Sequence, residues 1–131
     1  MSGGIVVVGS SNTDMIIKVD RIPKPGETVI GGAFSTAAGG KGANQAVAAA
    51  RVGGHVTLVA RVGEDMFGQQ AMQGFVADKI DVNHVTPDSN APSGVALIFV
   101  DERGENSIAV ASGANAHLTP SDVFAARDAI C

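Results

Sequence analysis

Gly39-Gly-Lys-Gly-Ala-Asn-Gln-Ala46 places three glycines and a lysine directly before Ala43-Asn-Gln-Ala-Val-Ala-Ala-Ala-Arg-Val52, a run of good helix formers that Gly53-Gly54 stops. A helix that starts this way has backbone N–H groups free at its N-terminus, and few side chains keep an acceptor away. The spacing excludes the two common nucleotide loops. A P-loop needs glycine five residues before the Gly-Lys pair and Ser or Thr after the lysine, but Ser35 and Gly42 stand there. The dinucleotide fingerprint starting at Gly40 needs Gly or Ala where Gln45 stands. Hydroxyl groups suit what remains: Asn44 both donates and accepts, and Lys41 adds a charged donor. A glycine turn that only lets the helix pack closely, with Lys41 in solvent, accounts for the same residues.

Working outward, the continuously apolar Ile5-Val-Val-Val8 reads as a central parallel strand buried on both faces, ended by Ser10-Ser-Asn12. Met15 to Val19 and Thr28 to Phe34 read as antiparallel strands separated by Pro23, Pro25 and Gly26. His55 to Val62 reads as a strand. Asp65 is the expected N-cap of a helix from Met66 to about Lys79, which Gly68 and Gly74 weaken, as where a helix lies close to a neighbour. Val82 to Thr86 is a further short strand, and Gly94 to Val100 with Asn106 to Ala111 forms a hairpin turned by Asp101-Glu-Arg-Gly104. Thr119-Pro-Ser-Asp122 starts a final helix at Pro120. That helix reaches Cys131 with no stop signal, so the pattern predicts a truncated unit of a longer chain.

One domain of 131 residues is long enough to bury roughly two-thirds of the surface its unfolded form exposes. Hydrophobic residues make up 45% of it but include only five Phe and no Tyr or Trp, so Val, Ile and Ala must fill the core. A net charge of −4, without a basic cluster or aromatic stacking platform, argues against nucleic acid as a partner. The one cysteine excludes an intrachain disulfide and fits a reducing, cytoplasmic setting. Neither the short apolar run at the start nor Val95 to Val100 can serve as a signal peptide or membrane span.

Asn12-Thr-Asp14 follows the first strand at the carboxyl end of the expected parallel sheet, where open α/β folds bind ligands. A carboxylate and an amide two residues apart can hold neighbouring hydroxyls, although an Asx turn closing the strand also explains them. His55, His84 and His117 have no partner at a metal-ligand spacing, so no metal is assigned. Ser10, Ser11 and Ser112 lack a base in any nucleophile context, which leaves hydrolase chemistry unsupported.

Four segments together carry a family likeness: Val8-Gly-Ser-Ser-Asn-Thr-Asp14, Pro25-Gly-Glu-Thr28, Gly39 to Ala46, and Ser93 to Val100 with Gly104-Glu-Asn106 and Gly113-Ala-Asn115. In this order they resemble the N-terminal part of the ribokinase-like carbohydrate kinases, over essentially the whole chain. The resemblance implies an α/β fold, here a partial doubly wound, mainly parallel sheet. A small β-sheet lid is implied from segments about 15–38 and 93–111 of a single unit spanning 1–131. It implies that Asn12 and Asp14 hold sugar hydroxyls, that Gly39, Gly40, Lys41 and Asn44 line the same pocket, and that Ala96 and Ile98 close it. D-ribose or a related sugar, a homodimer through the lid, Mg-ATP and a monovalent cation are implied for the complete enzyme. The family's Gly-Ala-Gly-Asp segment, which brings the anion hole and the aspartate base, is absent from these 131 residues. No catalytic residue is therefore assigned, and a non-catalytic pentose-binding or self-associating unit is the alternative.

Overall fold

The structure, a computed structural model, describes residues 4–131; the first three residues of the expected unit lie outside the described residues. Three parallel strands, β1 (Ile5–Val8), β4 (Val56–Gly63) and β5 (Val85–Asp88), pair in the order β1-β4-β5. A second sheet contains β2 (Asn12–Lys18), β3 (Ala33–Gly39), β6 (Gly94–Val100) and β7 (Asn106–Ala111), ordered β3-β2-β6-β7. It is antiparallel except for the β2–β6 pair, which starts with Asn12 opposite Gly94. This is the expected α/β architecture with a separate small sheet.

The centre of the parallel sheet differs from expectation. β4, not β1, has neighbours on both sides, and Ile5 and Val8 on β1 are 43% and 46% exposed. Val56, Leu58, Ala60 and Val62 of β4 form the core with Ala43 and Ala46 of α1 (Lys41–Arg51) and Phe75 of α2 (Met66–Ala77). These small and β-branched side chains let helix and sheet approach closely in place of aromatic filling. The alternate β4 residues face a 3-10 helix, Gly113–His117, and α3 (Pro120–Ala125), where Arg61 reaches Asp122. Both faces of β4 are thus covered, as in a doubly wound fold, while β1 stays partly exposed.

Helix boundaries follow their local signals. Gly53 at φ +97° stops α1, and the Asp65 side chain caps α2 by accepting from the Gly68 N–H at 2.8 Å. Thr119 and Asp122 form the capping box of α3, with Pro120 at the first helical position. The expected final helix is instead two pieces, α3 and α4 (Arg127–Ile130), broken at the buried Ala126. Gly68 proves to be a close-approach position, since a Cβ there would strike the Gly63 carbonyl; Gly74 has open space around it.

Asp65 also joins the two sheets. Its carboxylate accepts from the Ser93 N–H at 2.8 Å and the Ser93 hydroxyl at 2.7 Å, while the Ser93 Oγ accepts from the Gly63 N–H at 2.9 Å. Burial pushes the Asp65 carboxyl up, but the bonds from Ser93 and Gly68 outweigh it and hold the group below the usual carboxylate range. On the other face, the Asn90 N–H, His117 and Arg61 lower Asp88, and Thr119 with Arg61 lowers Asp122. A carboxyl lowered in the folded state stabilises the fold above its unfolded value, about 3.9, and that contribution is lost as pH falls through the folded value. Acid titration followed by circular dichroism is expected to show the chain losing stability below about pH 4, with a shallower loss in Asp65→Asn. An acid profile unchanged by that substitution would contradict the role of Asp65.

Candidate functional site

β1 leaves the parallel sheet at its carboxyl end, passes Gly9 and Ser10, and enters the second sheet at Asn12. β3 returns from that sheet to the same point and runs through Gly40 into α1. The expected residues gather around this double junction. Asn12 lies opposite Gly39 on β3, and Asp14 lies opposite Ala96 on β6. Side chains at cross-strand pairs share a face, so Asn12, Asp14, Ala96 and Ile98 all point to one side of the sheet, with Ile98 one pleat farther along, opposite Ile16. The Asn12-Thr-Asp14 segment is therefore strand, not the Asx turn that its composition also allowed.

The glycines divide into two roles. The Asp14 carboxylate lies directly against Gly39, where a Cβ would overlap it. Gly40, at φ +93°, instead faces the protein: a Cβ would come within 2.6 Å of the Ser10 carbonyl oxygen and 3.0 Å of the Asn12 nitrogen. Gly42 would meet Gly9 Cα at 2.7 Å. Gly40 and Gly42 thus let the start of α1 touch the backbone leaving β1, so close packing explains this part of the loop.

That contact changes the expectation of free N–H groups. Ala43 donates to the Ser10 carbonyl at 3.0 Å and Asn44 to the Gly40 carbonyl at 2.9 Å. The Ala43 N–H is thus taken up by the protein rather than left for a ligand, while the Asn44 N–H makes the first bond of the helix itself. Polar side chains remain. Lys41 is exposed on the first turn, Asn44 is exposed one turn on, and neither Asp14 nor Lys41 has an ion-pair partner among the described residues. A half-buried carboxylate, a lysine and two amides around a junction offer donors and acceptors to a polyhydroxylated ligand.

A cleft of about 420 Å³ opens beside this junction, lined by Asn12, Gly39 and Asn44 and walled by Val47 and Phe75. Asp14, Gly40, Lys41, Ala96 and Ile98 are not among its lining residues. A hollow of about 590 Å³ that shares no lining residue with this cleft lies against Leu118, Val123, Phe124 and Ile130 and is almost wholly apolar.

Three residues here were missed from the sequence as contributors to the junction. The Asn115 side chain bridges to Ser11 and Asn12, Gly94 leaves room for it, and Ser93 joins Asp65. Gly113-Ala-Asn115 carried part of the family likeness, but nothing local signals a bond across 103 residues.

A parallel α/β sheet, with a second sheet attached at the carboxyl ends of its strands, defines an α/β protein whose polar junction lies where open α/β folds bind ligands. The pfkB family carbohydrate kinase profile matches residues 3–130, and the chain belongs to that family. It is 43% identical over 126 residues to the ribokinase of Bacillus subtilis, covering 96% of this chain and 43% of that one. The solved ribokinase of Giardia lamblia matches with a TM-score of 0.90 and 37% identity, covering 99% of this chain and 39% of the other. The Arabidopsis thaliana ribokinase complexed with ribose and ATP matches with a TM-score of 0.78 and 38% identity, covering 88% and 38%. The chain spans about two-fifths of the length of the relatives it matches.

Proposed function

We propose that this chain is the sugar-binding part of an ATP-dependent ribokinase that phosphorylates D-ribose at its primary hydroxyl. The observation that carries the reading is Asp14, a carboxylate without an ion-pair partner among the described residues, lying against Gly39 beside Asn12 at the mouth of the α1 N-terminus. In this role Asp14 accepts from two sugar hydroxyls, Asn12, Lys41 and Asn44 hold others, Gly39 forms the floor, and Gly40 holds the start of α1 against the segment that carries Asn12. Ala96 and Ile98 cover the sugar from the second sheet, which acts as a lid built from segments about 15–38 and 93–111. Binding there fixes the sugar's orientation, the part of catalysis that positioning supplies.

ATP, when bound by the complete enzyme, supplies the phosphoryl group. We assign its site, the aspartate base and the monovalent cation to the part of the family's length that this chain does not span, so the chain alone binds sugar without phosphorylating it. The Arabidopsis relative is complexed with ribose and ATP, which supports that pair of ligands for the complete enzyme.

The proposal includes a cytoplasmic homodimer joined through the lids. Its support is the opposite face of the second sheet, where Met15, Ile17 and Phe99 lie beside Leu97 and Phe34, which are 48% and 66% exposed. No helix among the described residues is long and apolar enough to cross a membrane.

Thermal unfolding tests the reading. The melting midpoint is expected to rise saturably with D-ribose, by more than with D-fructose, because a ligand that binds only the folded state stabilises it. A cooperative melt that ignores D-ribose would contradict the proposal.

A further inference from the structure

Asn12 and Asn115 form a side-chain pair whose polarity the backbone dictates. The Ser11 main chain lies beside Asn115: its N–H donates to Asn115 Oδ1 at 2.9 Å, and its carbonyl accepts from Asn115 Nδ2 at 3.2 Å. A peptide N–H can only donate and a peptide carbonyl can only accept, so these two bonds allow one orientation of the Asn115 amide. Asn115 Nδ2 then points at Asn12 and donates to Asn12 Oδ1 at 2.7 Å. Only an acceptor can complete that bond, which leaves Asn12 with its Nδ2 turned outward.

Asn12 Nδ2 donates to no described residue and is not among the buried, unpartnered atoms, so it keeps accessible surface, and the Asn12 side chain shares its face of the sheet with Asp14. Gly94 is part of the same arrangement. A Cβ there would overlap both Asn115 Nδ2 and Asn12 Oδ1 and would approach the Ser112 carbonyl to 2.9 Å. The 3-10 helix is held from both ends: the Ala114 N–H donates to the Pro92 carbonyl at 2.7 Å, and His117 Nδ1 lies 2.8 Å from Asp88 Oδ2.

We propose that Asn115, through its bond to Asn12 Oδ1, is a positioning residue that makes Asn12 a hydrogen-bond donor toward the sugar pocket. This rests on the pocket reading above. Asn12 then serves a hydroxyl oxygen while Asp14 serves hydroxyl hydrogens, so the pair recognises a hydroxylated ligand from both sides. Asn115 itself does not touch the ligand.

Calorimetric titration of D-ribose into the 131-residue chain, as a double-mutant cycle, tests this. Asn12→Ala and Asn115→Ala are each expected to weaken binding about tenfold, the effect of one lost hydrogen bond. The double variant should bind within about twofold of Asn12→Ala, because a residue acting through Asn12 has nothing left to act on. Asn115→Asp, nearly isosteric, keeps an acceptor for the Ser11 N–H but has no N–H to give Asn12, and is also expected to lose about tenfold. Normal binding by Asn115→Asp, or losses that multiply in the double variant, would overturn the positioning role while leaving the pocket standing. No saturable binding by the wild-type chain would overturn the pocket reading, and this role with it.

Discussion

Asp14→Ala is expected to weaken D-ribose binding by about 100-fold or more while moving the melting midpoint by only a few degrees. Hydrogen bonds from neutral hydroxyls to a carboxylate contribute about 1.5–3 kcal/mol each, and two of them correspond to a loss of at least two orders of magnitude in affinity. The fold loses little because Asp14 is half-buried, has no ion-pair partner among the described residues, and lies against a glycine rather than a packed side chain. The contrast with Asp65 is direct, since Asp65 bonds Ser93 and Gly68 and belongs to the fold. Titration calorimetry on Asp14→Ala beside a thermal melt checks both halves, and unchanged affinity would remove Asp14 from the pocket.

Gly40→Val is expected to destabilise the chain by about 3 kcal/mol, to lower the melting midpoint by about 10 °C, and to abolish sugar binding. Two causes add. The residue sits at φ +93°, where a β-branched side chain is strained, and its Cβ would press on the Ser10 carbonyl and the Asn12 nitrogen. Those atoms belong to the segment that carries Asn12 into the site, so relief of the clash displaces the binding groups. Gly53 separates the causes: it has φ +97° but open space around it, so Gly53→Ala should cost only the backbone strain, about 1 kcal/mol, and leave binding intact. Wild-type melting by Gly40→Val would contradict the close packing at the start of α1.

Elements with strong local signals were readable from sequence alone. α1 has an alanine-rich body and a glycine stop, α2 has its Asp65 cap, and the β6–β7 hairpin has an apolar run followed by a polar turn. Elements fixed by distant partners were not. β2 begins at Asn12 rather than Met15 because Asn12, Thr13 and Asp14 pair with Gly94, Val95 and Ala96, which overrides their turn preference. β3 occupies Ala33–Gly39 rather than Thr28 to Phe34, since Gly31 at φ +103° interrupts the apolar segment before it and pairing with β2 recruits the weakly β-prone Ala37-Ala-Gly39. β5 is likewise shifted to Val85–Asp88 by pairing with Ala60 to Gly63.

The candidate site divides along the same line. Its residue types were visible at Asn12, Asp14 and Asn44, and the motif order pointed to a common place. The use of Gly40 and Gly42 for backbone contact was not visible, because a glycine required by packing and one required by a ligand look alike in sequence. Asn115 was hidden for another reason: its partners lie more than a hundred residues earlier in the chain, and only the folded junction brings the two amides together.

The most direct test of the central claim, a sugar site at the junction of the two sheets, is a ¹⁵N–¹H spectrum of the chain titrated with D-ribose. The account predicts saturable shifts at Asn12, Asp14, Gly39 to Asn44 and Ala96, with His84 and Asp88 unmoved. Shifts confined to the apolar hollow beside Phe124, or no saturable shift anywhere, would contradict it.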